Sequence, residues 1–271
     1  MKSLLEYLEV KKVSSMIIAD DSTSVKIINQ EIERLGPDAN LNHIDVSKCV
    51  NMSNLFANHT EFCGDVSKWN VENAVNMHRL FYNCKDFNCD LSEWKTHNVT
   101  NMGGIFHGCE KFNCDLGDWI VDKNRDFAGA FLDCHKFEGK GLENWKTPNC
   151  TFFNGMFARC ESLDTNLNGW DVTKTVSTAS MFKDCINFNS PLDKWNVEHI
   201  NDMENMFKGC TKFNQDISMW KTTYVSEMSH MFEDCTSFDQ DLSKWYTGRV
   251  LNHISMFRNC HIKTKHKPKF N

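Results

Sequence analysis

Four thiols have the spacing best suited to chemistry. Cys84, Cys89, Cys109 and Cys114 form Cys-x4-Cys twice, one pair 25 residues after the other. Four thiolates, each about 2.3 Å from one centre, would make a tetrahedral zinc site. The tight Cys-x2-Cys hairpin of such sites is missing, however, and Cys84 and Cys109 belong to a longer series that explains them without a metal. The histidines His78, His97, His107, His135, His199, His230 and His253 are scattered and have no recurring carboxylate partner. They suit a surface better than a general base. There is no Gly-rich phosphate loop, no serine elbow and no His-Glu-x-x-His. The expectation is therefore no enzyme, no cofactor and no small-molecule substrate.

The longer series is a repeat. Trp69, Trp94, Trp119, Trp145, Trp170, Trp195, Trp220 and Trp245 follow one another every 25 residues, with one residue inserted before Trp145. Phe81, Phe106, Phe131, Phe157, Phe182, Phe207, Phe232 and Phe257 keep the same beat. So do Cys84, Cys109, Cys134, Cys160, Cys185, Cys210, Cys235 and Cys260. A fixed period of this length means one small unit stacked many times, each copy touching only its neighbours. A disulfide needs two side chains facing each other, about 4 Å apart at Cβ, which one cysteine per unit does not offer. The column reads as a small buried position holding free thiols, which fits a reducing compartment.

Within a unit, Trp195 and Val197 are two apart and would share a face of a short strand. Met203, Met206, Phe207 and Cys210 have the spacing i, i+3, i+4, i+7 and predict a two-turn helix. Asn76, Asn101, Asp126, Ser177, Asp202 and Asn252 stand where its N-cap belongs. Asn83, Gly108, Asp133, Asp184, Gly209, Asp234 and Asn259 stand where it would stop. A turn with apolar pairs such as Phe213/Ile217 completes the coil, and Asn88, Asn113, Asn189 and Asn214 there suit a backbone-bonding ladder.

The predicted fold is an α/β solenoid: a leucine-rich-repeat-like, right-handed coil of about nine rungs, strand side concave because helices need about 8–10 Å each. Residues 1–40 lack the period and are expected to form an N-terminal helical cap. Ser24 to Leu35 is its main helix, with Ile28, Ile32 and Leu35 on one face and Gly36-Pro37 as the stop, and residues 4–8 are a further helical stretch. Residues 41–262 are the tandem-repeat solenoid, opening on a degenerate rung with Ile44 in place of Trp and His59 in place of Cys. The inserted residue falls in Glu138-Gly139-Lys140-Gly141, a turn able to absorb it. Residues 263–271, with Lys263, Lys265, Lys267 and Lys269, read as a solvated basic tail that leaves the last rung uncapped and a sheet edge open to another chain.

Asn214-Gln215-Asp216-Ile217-Ser218 before Trp220, and Val99-Thr100-Asn101-Met102 with Phe106, resemble the 25-residue tandem repeats of Mycoplasma-type surface proteins. Those are grouped with the BspA-like leucine-rich-repeat proteins and are also found in giant DNA viruses. The resemblance spans about residues 41–262 and implies a surface, adhesion or structural role with no catalytic residues to carry over. The bacterial members bear a secretion signal or lipid anchor, which residues 1–16 do not show, and often have Ala or Ser in the cysteine column. Both departures point to a viral or intracellular member.

A net charge of -6 with both signs interspersed argues against a nucleic-acid-binding surface, and no apolar run is long enough for a membrane span. The expected function is a scaffold for protein–protein interaction, in its narrower form a minor capsid protein of a large DNA virus. Its partners would be capsid proteins or copies of itself, met in the cytoplasm of the producing cell and carried into the virion. A cell-surface adhesin is the alternative. The expected partner-binding strand face is Asn70, Glu72, Lys95, His97, Asp122, Lys146, Glu198, Lys221, Thr223 and Tyr246, whose charge varies from rung to rung.

Overall fold

A computed structural model describes residues 16–270. The expected helical stretch at 4–8 lies outside them. The described chain opens with β1 (Ile17–Asp20), α1 (Ser24–Leu35) and β2 (Ile44–Lys48). β1 and β2 pair in parallel, Ile17 with Ile44 and Ile18 with Asp45. The helix has the predicted bounds and ends at Gly36, whose φ of 96° few side chains tolerate. Its buried face is Ser24, Ile28 and Glu31, whereas Leu35, expected on that face, is exposed. β1 was not foreseen, because its four residues have no partner in sequence until β2 is placed beside them.

Beyond β2, equivalent residues of successive units lie over one another. Parallel single-pair bridges link Asn51, Asn76, Asn101, Asp126, Phe152, Ser177, Asp202, Glu227 and Asn252 in one unbroken column. Indole lies over indole: Trp94 and Trp119 have ring centroids 6.3 Å apart and planes 1° apart. Phe81 over Phe106 (5.7 Å, 2°) and Phe232 over Phe257 (5.7 Å, 3°) repeat the arrangement. The interior between these columns is dry, with the Trp, Phe and Met positions from Phe56 to Trp245 buried.

The rung itself differs from the prediction in two places. First, the Trp-x-Val segment is a strand only in its Ile44–Lys48 equivalent, where β1 supplies a partner. The same turn precedes it in β2 and elsewhere, Ile44 N–H to the carbonyl of Leu41 and Trp220 N–H to that of Ile217, so the pairing with β1 alone sets β2 apart. The parallel bridges sit instead on the polar column that was expected to cap helices.

Second, no described rung contains the predicted helix. In the rung of Met203, alternate N–H groups leave the rung altogether: Met203, Asn205, Phe207 and Gly209 donate to the carbonyls of Glu227, Ser229, Met231 and Glu233. The groups between them, Met206, Lys208 and Cys210, close turns three residues back. The cause is a pair of left-handed residues four apart in each rung: Asn54/Asn58, Gly104/Gly108, Asn205/Gly209 and their equivalents, all with positive φ. A helix has no place for left-handed residues, whereas the third position of a type II turn requires one. The polar residues expected as N-caps do accept a backbone N–H, but two residues on, as Asp202 does from Glu204. They start turns. Because the side expected to be helical is stitched from rung to rung at hydrogen-bond distance, the expected concavity loses its cause.

The inserted residue lies where it was expected. Gly139 and Gly141 both have φ of 84° and lead into a 3-10 turn at Leu142–Asn144. The bridge column shifts from 25 to 26 residues there, Asp126 to Phe152, and stays in register afterwards.

Candidate functional site

The residues suited to chemistry are used inside the stack. Each column thiol from Cys84 to Cys235 donates to the carbonyl of the column Phe in the preceding rung, whereas Cys260 points to Phe238 O at 3.7 Å. Cys84 reaches Phe56 O at 3.0 Å, Cys185 reaches Phe157 O at 2.9 Å, and Cys210 reaches Phe182 O at 2.9 Å. Phe182 O already accepts from Cys185 N in its own turn. A carbonyl has two lone pairs, and in a dry interior the second needs a donor. Cysteine is small enough for the column and supplies one. Burial pushes the Cys84 thiol up to about 12 and the Cys109, Cys134 and Cys210 thiols well above the usual range. The sequence reading treated this column as merely small and apolar, and missed the bond.

Tryptophan performs the same task on the other wall. Trp195 Nε1 donates to Leu167 O at 2.9 Å, and Trp220 Nε1 donates to Leu192 O at 3.0 Å. Leu192 O again accepts its own rung's turn-closing N–H, from Trp195.

The four thiols considered for zinc divide accordingly. Cys84 and Cys109 lie in the core column, while Cys89 and Cys114 sit in the following turn, within 3.7 Å of Asp65 and Asp90. Burial raises both turn thiols to about 11. No cluster of metal-binding side chains occurs among the described residues. The histidines stay apart too: His107 stands edge-on to Tyr82 at 4.8 Å, and His135 lies 3.7 Å from Glu161.

Among the described residues Glu233 is a fully buried carboxylate, met by side chains of three successive rungs: Lys208 at 3.3 Å, with the His230 ring and the Arg258 guanidinium in direct contact. Removing one partner from such a cluster leaves charge uncompensated, so the group ties the rungs together.

The ten residues expected to bind a partner lie on one side, in two adjoining columns. Asn70, Lys95, Lys146, Lys221 and Tyr246 follow the Trp column and are exposed. Glu72, His97, Asp122, Glu198 and Thr223 follow the buried Val/Thr column. Asn70 Oδ1 accepts from Glu72 N at 3.1 Å, and looser pairs join His97 to Glu72 at 3.9 Å and Lys221 to Glu198 at 3.8 Å. They form a turn face and not the strand face that was expected, for the reason given above. A third column beside them was missed: Asn98, Lys123, Asn149, Lys174, His199, Tyr224 and Arg249. There Lys123 bonds Asn98 at 2.8 Å, and the Arg249 guanidinium lies 4.8 Å from the Tyr224 ring centre. The same 25-residue spacing, followed one position further, would have found it.

The C-terminal tail corrects a further expectation. Residues 263–270 retrace half a rung. His266 O accepts from Leu242 N, Lys269 O accepts from the Thr247 hydroxyl, and Asp239 takes the backbone N–H of Lys263 at 2.9 Å. The Lys263 ammonium also contacts Asp239, and its hydrogen bond is the main reason that carboxyl lies well below its usual range. The tail is a partial cap, not the solvated basic tail that was expected.

Three overlapping stretches of this repeat, 23–145, 126–207 and 185–270, match the family described as Mycoplasma protein of unknown function, DUF285. The chain belongs to that family. Three overlapping matches agree with a tandem-repeat protein, as the stacked columns do. No curated protein matches the chain. No helix among the described residues is long and apolar enough to cross a membrane.

Proposed function

We propose that this tandem-repeat protein is a non-enzymatic, leucine-rich-repeat-like solenoid that binds other proteins. One observation carries the reading: the recurring thiols and indoles are consumed in rung-to-rung hydrogen bonds, while the side chains that vary from rung to rung stand outside. A rigid stack with a variable polar face suits one specific protein partner. The ten-residue face and the Asn98–Arg249 column beside it would be the contact surface.

The narrower form of the proposal is a minor structural protein of a large virus particle, made in the cytoplasm. Column thiols that are buried and bonded to carbonyls favour assembly under reducing conditions over the alternative, an exported BspA-like adhesin. Mass spectrometry of purified particles tests the narrower form, and absence from them removes it.

The broader form is tested by cross-linking in native material followed by mass spectrometry. One partner recovered with the native chain should be lost with the Lys95→Glu, Lys146→Glu, Lys221→Glu variant, whose thermal transition should be unchanged. Retention of the partner by that variant contradicts the face. A tightly bound metal or a measured turnover contradicts the scaffold.

A further inference from the structure

Two neighbouring columns differ in charge from the rest of the molecule. One begins at Lys48 and runs through Asn98, Lys123 and Lys174 to Arg249, and beside it stand Val50, Val75, Thr100 and Arg125. The single residue between them is buried in every rung from Cys49 to Val225. The two columns are therefore the walls of a groove along the stack. Over its first three rungs the groove has a volume of about 640 Å³, bounded by Lys48 and Val50, Asn73 and Val75, Asn98 and Thr100. Val50 is 46% and Val75 38% exposed.

The walls carry five cations, Lys48, Lys123, Arg125, Lys174 and Arg249, and no Asp or Glu, in a chain of net charge -6. Among the described residues none of the five forms a salt bridge, whereas Lys85, Lys111 and Lys221 each do. Neutral acceptors hold two of them. Lys123 donates to Asn98 Oδ1 at 2.8 Å and Lys174 to Asn149 Oδ1 at 2.6 Å, and both amides are fixed by donating to the carbonyls of Glu72 and Asp122. An ammonium has three donors, so each keeps two for a ligand, with its charge uncompensated. The Tyr224 ring orients the Arg249 guanidinium without neutralising it. Flanking carboxylates have other partners. Asp126 and Asp202 accept the N–H groups of Ala128 and Glu204, Asp21 accepts those of Val50 and Asn51, and Glu72 and Glu198 face His97 and Lys221. Exposed Asp122 offsets at most one of the five cations.

We infer that this groove is the docking site for an extended acidic segment of a partner protein, laid along the axis of the stack. The inference rests on the scaffold reading and narrows its contact surface to one groove and one class of ligand. Successive rungs are about 4.8 Å apart, and an extended chain rises about 3.3 Å per residue. Lys123 and Lys174, two rungs apart, therefore match carboxylates about three residues apart. A segment of about twelve residues spans the walls from Lys48 to Arg249. Apolar side chains between its carboxylates cover Val50 and Val75. Single-stranded nucleic acid fits less well. It carries a charge at every nucleotide and relies on rings that stack its bases, whereas the cations here are sparse and the walls around Val50 and Val75 offer no ring.

The probe is a synthetic peptide repeating Glu-Val-Ser over about twelve residues. Titrated into the full-length chain, it should bind saturably and shift the methyl signals of Val50 and Val75. Salt should weaken it. The Lys123→Glu, Lys174→Glu, Arg249→Glu variant changes exposed positions only, so its thermal transition should be unchanged. It should bind the peptide at least about tenfold more weakly, and so should wild type with a peptide that has Lys in place of Glu. The Lys111→Glu, Lys136→Glu, Lys212→Glu variant, matched in charge and half a coil away, should bind as wild type does. No binding at millimolar peptide, unmoved Val50 and Val75 methyls, or equal loss in both variants overturns the inference. So does tighter binding of an oligothymidylate of the same length, or self-association of the chain that the first variant abolishes. None of these changes touches Lys95, Lys146 or Lys221, so this groove and the turn face fail separately.

Discussion

At the scale of single residues, the stack is held by side-chain donors aimed at carbonyls that already serve a turn. Cys210 on Phe182 O and Trp220 on Leu192 O are two instances of one device. Cys210→Ala should therefore cost about 1–3 kcal/mol, from an unmet buried lone pair and a small cavity, read by denaturant unfolding with an unchanged slope. The same bonds predict thiol reactivity. Under native conditions at pH 8, Cys63 is exposed and should be alkylated first, with half-buried Cys89 and Cys260 slower. The column thiols from Cys84 to Cys235 should react only on unfolding, as peptide mass spectrometry would register. Fast native labelling of Cys134 or Cys160 would mean that the column is open. Position was legible in the sequence for both columns, because period and residue type suffice to place them indoors. Purpose was not, since a thiol that fills space and a thiol that donates look alike until the carbonyl above it is located.

At the scale of the element, the rung was half legible. The spacing of Met203, Met206, Phe207 and Cys210 correctly marked one buried face, but a run of turns with left-handed residues four apart buries the same positions as a helix. Gly104, Gly129 and Gly155 in the first left-handed column signalled the difference. Arg79, Ser180 and Ser255 in that column, which seldom adopt positive φ, hid it. β1 was illegible because a four-residue strand has meaning only beside its partner. The tail was misread because its lysines suggest solvent, while backbone groups and the Asp239 carboxylate, 24 residues before Lys263, dock it. Gly141 gives the sharpest element-scale prediction. A Cβ there would lie 2.1 Å from Gly117 N, and the φ is +84°. Gly141→Ala should destabilise the chain by more than about 1 kcal/mol, beyond the ordinary backbone penalty, and lower its melting temperature. An unchanged melting temperature would place the insertion elsewhere.

At the scale of the whole molecule, every rung depends on its neighbours, so protonation at one end is felt as stability of the stack. Burial holds His59 and His107 below the usual histidine range, and for His107 Asp133 only partly opposes it. Their folded pKa values lie below the unfolded one, so their contribution is complete above about pH 6.5 and is lost as pH falls through the folded values. Calorimetry should show the melting temperature declining from pH 7 to pH 5, less steeply in the His59→Gln, His107→Gln variant. A second decline should begin below about pH 4 as the depressed carboxyls of Asp239 and Glu31 take up protons. A flat profile from pH 7 to pH 5 would deny that these half-buried rings are held neutral. The tandem-repeat organisation was the most legible level, since eight tryptophans on one period leave few ways to bury them all.

Hydrogen exchange of the indole N–H groups tests the stacking most directly. Each of the eight tryptophans donates to a carbonyl in the preceding coil, from Trp69 on Leu41 O to Trp245 on Ile217 O. In nitrogen-labelled protein transferred to heavy water, the indole signals should outlast those of exposed amides, with the inner rungs slowest. Indole signals that vanish as fast as exposed amides would mean that those bonds, and the stack built on them, do not exist.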